Sequence, residues 1–230
     1  MPEKPNILLV HGAWGDGSHW RHVIPPLHAK GYRVIAVQNP LTSLADDIDR
    51  TSKLAADQDG PTLLVGHSYG GAVISGAGHV PNVVGLVYVA AFAPDEGDSL
   101  GSIFARRDPP PGAANIRPDK HGFLWIAPEA FRDSFCQDLD ETEALVMALS
   151  QKPIAGRCFE DKAGPPAWKT KPSWYQVSDA DRMIPPQTEA WMAERMGTRK
   201  TITLAASHAS LASQAGAIVA LIEEAAGTLP

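Results

Sequence analysis

Short apolar runs alternate along the chain with longer amphipathic stretches. Ile7–Val10, Arg33–Val37, Thr62–Val65, Val83–Ala91, Trp174–Val177 and Thr201–Leu204 are rich in Val, Ile and Leu and are bounded by Gly, Pro or Asn. They lack polar alternation, the pattern of strands buried on both faces of a parallel sheet. Between them run helical periods. Leu44, Ile48, Thr51 and Ala55 recur at i, i+4, i+7 and i+11, with Asp46, Asp47, Asp49 and Arg50 on the other faces. Leu211, Ala215, Ile218 and Ile222 repeat that spacing near the C-terminus. Strand–helix alternation of this kind predicts an α/β fold, and no internal repeat interrupts it.

The rhythm stops between Asp95 and Ser173. That stretch carries no strand signal, Pro109-Pro110-Pro111 and Pro165-Pro166 punctuate it, and it holds Phe104, Phe123, Phe131, Phe135, Phe159, Trp125 and Trp168. A structureless loop of this length is foreign to a compact domain. The stretch 95–173 therefore reads as a partly helical cap inserted into a core formed by residues 1–94 and 174–230.

Composition removes several function classes. With 44% hydrophobic and 20% charged residues, the 230-residue chain has material for a packed core. A net charge of -6 argues against nucleic acid or an anionic membrane as partner. Cys136 and Cys158 cannot build a disulfide framework and read as reduced thiols. The start, Met1-Pro2-Glu3-Lys4-Pro5, shows no signal-peptide core. Val83–Ala93, broken by Gly85, falls short of the ~20 residues that span a bilayer. A cytoplasmic, soluble protein is expected. No H-E-x-x-H and no Cys/His cluster with ligand spacing occurs, so neither a metal nor another cofactor is expected.

One local motif carries chemistry. Gly66-His67-Ser68-Tyr69-Gly70-Gly71 follows the run Thr62–Val65 and precedes Ala72-Val73-Ile74, a plausible helix start. In a G-x-S-x-G turn a strand passes at once into a helix and holds the serine on a strained bend. Side chains two positions before and after would collide, and glycine removes them. A bare G-x-S-x-G arises by chance in about one chain in ten of this composition, so its placement between strand and helix is the informative part. The phosphate-binding patterns G-x-G-x-x-G and G-x-x-x-x-G-K-[ST] are absent.

With this elbow, and with His11-Gly12-Ala13-Trp14 after the first strand, the chain resembles the α/β-hydrolase superfamily over nearly all of its length except the cap. The resemblance implies a mostly parallel central sheet flanked by helices, with a small, mainly helical cap. It implies Ser68 as nucleophile, with the N–H groups of Ala13 and Tyr69 as the oxyanion hole. The family order Ser, acid, His points to His208, in the loop Ala205-Ala206-Ser207-His208 after Thr201–Leu204, as general base. The family pattern small-x-x-D-x-x-x-P is met by Ser178, Asp181 and Pro185, which selects Asp181 as the acid. Asp179 is the nearby alternative, and Asp95 or Glu96 the more distant one, because some members take the acid from the earlier strand. His19, His22, His28 and His79 read as helix-face residues, and His67 as pointing away from the reacting atoms.

Ser68 excludes the haloalkane dehalogenases, which carry Asp there. The His11-Gly12-Ala13-Trp14…Trp20 entry looks like the branch of small carboxylesterases, methylesterases and hydroxynitrile lyases. The lyases carry Lys after the catalytic histidine, and some place Thr at position 12; here Ala209 and Gly12 stand instead. Hydrolysis of a small, apolar carboxylic ester is therefore expected, by a monomer or homodimer, with Trp14, Phe123 and Trp125 as possible pocket walls. Cofactor-free perhydrolase or haloperoxidase-type chemistry, lyase-like activity, or a non-catalytic ligand-binding protein that keeps the pocket are the alternatives. Both cysteines, far from Ser68 in sequence, are expected to have no place in the chemistry.

Overall fold

Each of the six apolar runs is a strand, within one or two residues of its expected ends. In the computed structural model, which describes residues 4–229, the chain begins with β1 (Asn6–Val10), α1 (Ile24–Ala29), β2 (Val34–Val37), α2 (Leu44–Ala56), β3 (Thr62–His67), α3 (Tyr69–Ala77) and β4 (Val83–Val89). After β4 come α4 (Leu100–Phe104), β5 (Ile116–Pro118), β6 (Phe123–Ile126), α5 (Pro128–Phe135), α6 (Glu141–Leu149), β7 (Ile154–Ala155) and α7 (Arg157–Glu160). The chain then runs through β8 (Ser173–Ser178), α8 (Pro186–Met196), β9 (Lys200–Leu204), α9 (Ser210–Ser213) and α10 (Ala215–Gly227). Met1–Glu3, the start of the segment read for a leader, and Pro230 lie outside the described residues.

The six long strands form one parallel sheet in the order β2-β1-β3-β4-β8-β9. Its two faces are read directly from strand alternation. Leu8, Val10, Leu64, Leu86 and Tyr88 face the core that contains α2, α3 and α8. Ile7, Leu9, Leu63, Val65, Val87 and Val89 face the core that contains α1 and α10. Burial on both sides explains why β1, β3 and β4 show no polar alternation; the edge strand β9 departs from the expectation, with Lys200, Thr201 and Thr203 exposed and Thr-Ile-Thr-Leu alternating. The predicted C-terminal helix is interrupted: Gln214 leaves the helical region at φ -124°, ψ 33° and separates α9 from α10. Leu211, Ile218 and Ile222 nonetheless stay on one buried face across the break.

The stretch between β4 and β8 differs from the expectation of a strand-free insert. It holds four helices and also a second, antiparallel sheet, β5-β6-β7. Its strands have three, four and two residues, too short for an alternation to register. Among the described residues no helix is long and apolar enough to cross a membrane.

Candidate active site

The parallel strands deliver their C-terminal ends to one edge of the sheet, and the candidate residues meet there. β3 runs into Ser68 and α3 starts one residue later. Ser68 sits at φ 54°, ψ -123°, a conformation that costs an L-residue of order 1–3 kcal/mol. The flanking glycines make the bend possible. A Cβ on Gly66 would lie 2.6 Å from the Gly70 carbonyl oxygen, and one on Gly70 would lie 2.4 Å from that of Val10. The turn after β1 is equally close: a Cβ on Gly12 would lie 2.6 Å from Ser68 Cβ.

His208 follows β9, and its Nε2 lies 2.8 Å from Ser68 Oγ. Its Nδ1 lies 2.5 Å from Asp181 Oδ2, and both side chains are fully buried. Asp181, in the turn after β8, is fixed by Met183 N–H and Ile184 N–H, which donate to Oδ1 at 2.6 and 2.8 Å. Asp179, two residues earlier, points to solvent. Asp95 pairs with Lys169, and Glu96 is exposed. Of the four acids weighed from sequence, only Asp181 reaches His208.

Ala13 and Tyr69 line the pocket with Ser68. Among the described residues neither backbone N–H has a protein acceptor, so both remain available to an incoming oxygen. The turn that presents Ala13 is held by His11, whose Nδ1 donates to the Gly12 carbonyl at 2.9 Å and whose Nε2 accepts from Asn39 N–H at 3.0 Å. Burial drives the His11 imidazole down to about 4, so it stays neutral and keeps one donor and one acceptor. Tyr69, at the N-terminus of α3, donates its hydroxyl to Asp47 Oδ2 at 2.6 Å.

His67 does more than occupy a spare position. Its ring does not reach the Ser68 hydroxyl; instead Nε2 donates to the His208 carbonyl at 2.8 Å. The His67 and Phe135 rings each lie 4.8 Å from the His208 ring, and Ser207 N–H donates to Asp138 at 2.9 Å. The loop carrying His208 is thus held from β3 and from the segment after α5. His19 is likewise not a helix-surface residue: it is buried, with its ring 5.9 Å from Phe135. Cys158, far from Ser68 in sequence, is packed beside the Tyr69 hydroxyl, and burial pushes its thiol up to about 12. A thiol held that high stays protonated at neutral pH.

The pocket walls differ from those expected. Trp14 lines the space above Ser68, together with Phe92, Phe104, Phe159, Met183 and Ile184. Phe123 and Trp125 do not. β6 turns Leu124 toward a neighbouring cavity, and alternation sends Phe123 and Trp125 to the opposite side, where Trp125 Nε1 donates to Asp119 at 3.3 Å. Met183 and Ile184 could have been found from sequence, since they sit inside the Ser178–Pro185 pattern. Phe104 and Phe159 carried no such signal. The space directly above Ser68 is nearly closed, about 10 Å³. Phe104, Phe159 and Met183 also line a second, apolar cavity of about 400 Å³ on their other side, whose exposed rim includes Arg107 and Pro109.

The model of the alpha/beta hydrolase family matches residues 7–221. The chain belongs to the alpha/beta hydrolase family. The chain is 34% identical to a carbendazim-hydrolysing esterase of Nocardioides sp. over 48% of this chain and 52% of that protein, about half the length of that relative. It is 26% identical to an alpha/beta hydrolase of Aspergillus novofumigatus over 97% of both chains. Among solved structures, a pyrethroid hydrolase from Sphingobium faniae superposes with a TM-score of 0.83 at 23% identity, covering 97% of this chain and 98% of that one. At this level of identity the superposition establishes the shared fold.

Proposed function

We propose that the hydrolase cleaves carboxylic esters through Ser68, His208 and Asp181, and that residues 95–173 act as the cap that shapes its substrate site. The observation that carries this reading is the continuous, buried hydrogen-bonded line Ser68 Oγ–His208 Nε2 and His208 Nδ1–Asp181 Oδ2, at 2.8 and 2.5 Å. His208 Nε2 takes the proton as Ser68 Oγ attacks the ester carbonyl, and Asp181 holds the Nδ1–H tautomer and stabilises the imidazolium. The oxyanion is received by Ala13 and Tyr69 N–H; donors of this kind are worth about 10²–10³ in rate each. The imidazolium then protonates the departing alcohol, and water, activated by His208, releases the acid from Ser68.

The nearly closed space at Ser68 and the apolar cavity beyond it favour an ester whose bulkier part is apolar. The names of relatives support the class: one hydrolyses carbendazim and another, from Sphingobium wenxiniae, is a pyrethroid hydrolase. Ser68→Ala is expected to abolish turnover of a short-chain p-nitrophenyl ester and labelling by a fluorophosphonate. Retention of either in the variant would overturn the assignment of Ser68.

A further inference from the structure

Behind the Ser68–His208–Asp181 line lies a second buried carboxyl group. Glu189, in the first turn of α8, is fully buried. Its Oε2 accepts from Ser178 N–H at 2.9 Å, which ties it to the end of β8, three residues before Asp181. Its Oε1 is equally buried and has no donor. The group it faces is the Asp181 carboxyl: the ligating atoms of Asp181, Glu189 and His208 all lie within 4.8 Å of one another.

Two carboxylates cannot both be ionised at this separation in a dry site. Asp181 is the better candidate for the charge: it receives two backbone N–H bonds and His208 Nδ1–H, against one N–H for Glu189. The N-terminus of α8 favours a charged Glu189 only weakly, by much less than burying a second ion costs. A proton on Oε1 removes the surplus charge and turns the unpartnered oxygen into a donor. A divalent ion among these three residues would have to break the Asp181–His208 bond, whereas a proton leaves it intact. Tyr175, the other titratable group facing Glu189, donates its hydroxyl to the Ala91 carbonyl and supplies nothing to Oε1.

We propose that Glu189 is a neutral carboxylic acid that donates its Oε1 proton to Asp181, and so acts as a positioning residue for the base His208. The role rests on the triad reading above, since a donor on Asp181 matters to turnover only if Asp181 serves His208. Burial and the neighbouring Asp181 charge both push the Glu189 carboxyl well above its usual range, which agrees with the geometry.

Glutamine separates the possibilities, because its amide can accept from Ser178 N–H and donate to Asp181. E189Q is expected to keep kcat within about threefold and to move the midpoint of the acidic limb of kcat/KM by less than about 0.3 pH unit. E189M, which keeps the volume but supplies no donor, should lose kcat about 10- to 100-fold and raise that midpoint. An ionised Glu189 would instead lower the midpoint by about one unit or more in E189Q. The proton is also read without activity. The difference infrared spectrum of wild type against E189Q at neutral pH should contain the carbonyl stretch of a protonated carboxylic acid. Its absence overturns the proposal whether or not E189M folds. Its presence in a protein without esterase turnover would instead fault the proposed reaction.

Discussion

At the scale of single residues, the site is set by contacts too close to tolerate one extra carbon. Gly12 approaches Ser68 so tightly that a methyl at Cα would meet Ser68 Cβ at 2.6 Å. If the proposed reaction holds, Gly12→Ala should displace both Ser68 Oγ and the Ala13 N–H, lowering kcat about 10²–10³-fold with a smaller change in KM, measured by steady-state hydrolysis of a p-nitrophenyl ester. The two aspartates after β8 give a paired test. Asp181→Asn removes the acceptor that fixes the Nδ1–H tautomer of His208 and should reduce kcat about 10⁴-fold. Asp179→Asn, at an exposed position, should leave kcat within about twofold; a large loss there would reassign the acid. Ser68, His208 and Asp181 were legible because each stands in a short pattern whose spacing has a mechanical cause. Glu189 and His67 were not. Their partners, Asp181 with Ser178 and the His208 carbonyl, are created by the packing of α8 and of β3, and no local spacing announces a tertiary hydrogen bond.

Secondary structure elements were legible in proportion to how much they bury. The inner strands β1, β3 and β4 lie against helices on both faces and therefore wrote apolar runs into the sequence, whereas the edge strand β9 is half exposed and alternates. β5 and β7 have three and two residues and rest on the edges of one short strand, so nothing periodic could reveal them. That sheet matters, because Trp14, in the turn after β1, donates Nε1–H to the Leu124 carbonyl of β6 at 3.0 Å and ties the core to it. The wall between the space at Ser68 and the larger cavity comes from α4 and α7. Phe104 and Phe159, one on each helix, stand with ring centroids 6.4 Å apart and border both spaces. Removing the Phe159 ring should join about 10 Å³ to about 400 Å³. Phe159→Ala is accordingly expected to raise kcat/KM for esters with bulky acyl groups relative to acetates, by about tenfold, the scale of one to two kcal/mol of relieved overlap. A series of p-nitrophenyl esters of increasing acyl size measures it, and an unchanged ranking would show that the ring does not limit acyl size. Because Phe159 is half-buried against the core, the same variant should also unfold more easily, by about 1–3 kcal/mol.

Over the whole molecule, the buried titratable groups couple the site to the stability of the fold. His11, His19 and His67 are all enclosed, and desolvation lowers each of them, His11 to about 4 and His19 to about 3. Their folded values lie below the unfolded 6.5. The unfolded chain therefore binds protons that the folded chain refuses, and stability that is complete above 6.5 is lost as the pH falls toward the folded values. Glu189 acts in the opposite sense. Its folded value is raised well above the ordinary 4.5, so the folded protein keeps a proton that the unfolded chain releases above 4.5, and that group withdraws stability as the pH rises. Between pH 5 and 6 each of these histidines takes up at most about one proton on unfolding, and Glu189 releases at most about one. E189Q cancels the opposing contribution, so its slope should steepen relative to wild type by up to one proton, about 1.4 kcal/mol per pH unit. His19→Gln should flatten the slope by one proton instead. Urea unfolding of wild type and both variants at pH 5, 5.5 and 6 measures these slopes. A wild-type slope unchanged by E189Q would mean that Glu189 ionises in the fold, and a slope unchanged by His19→Gln would mean that this histidine carries its proton inside.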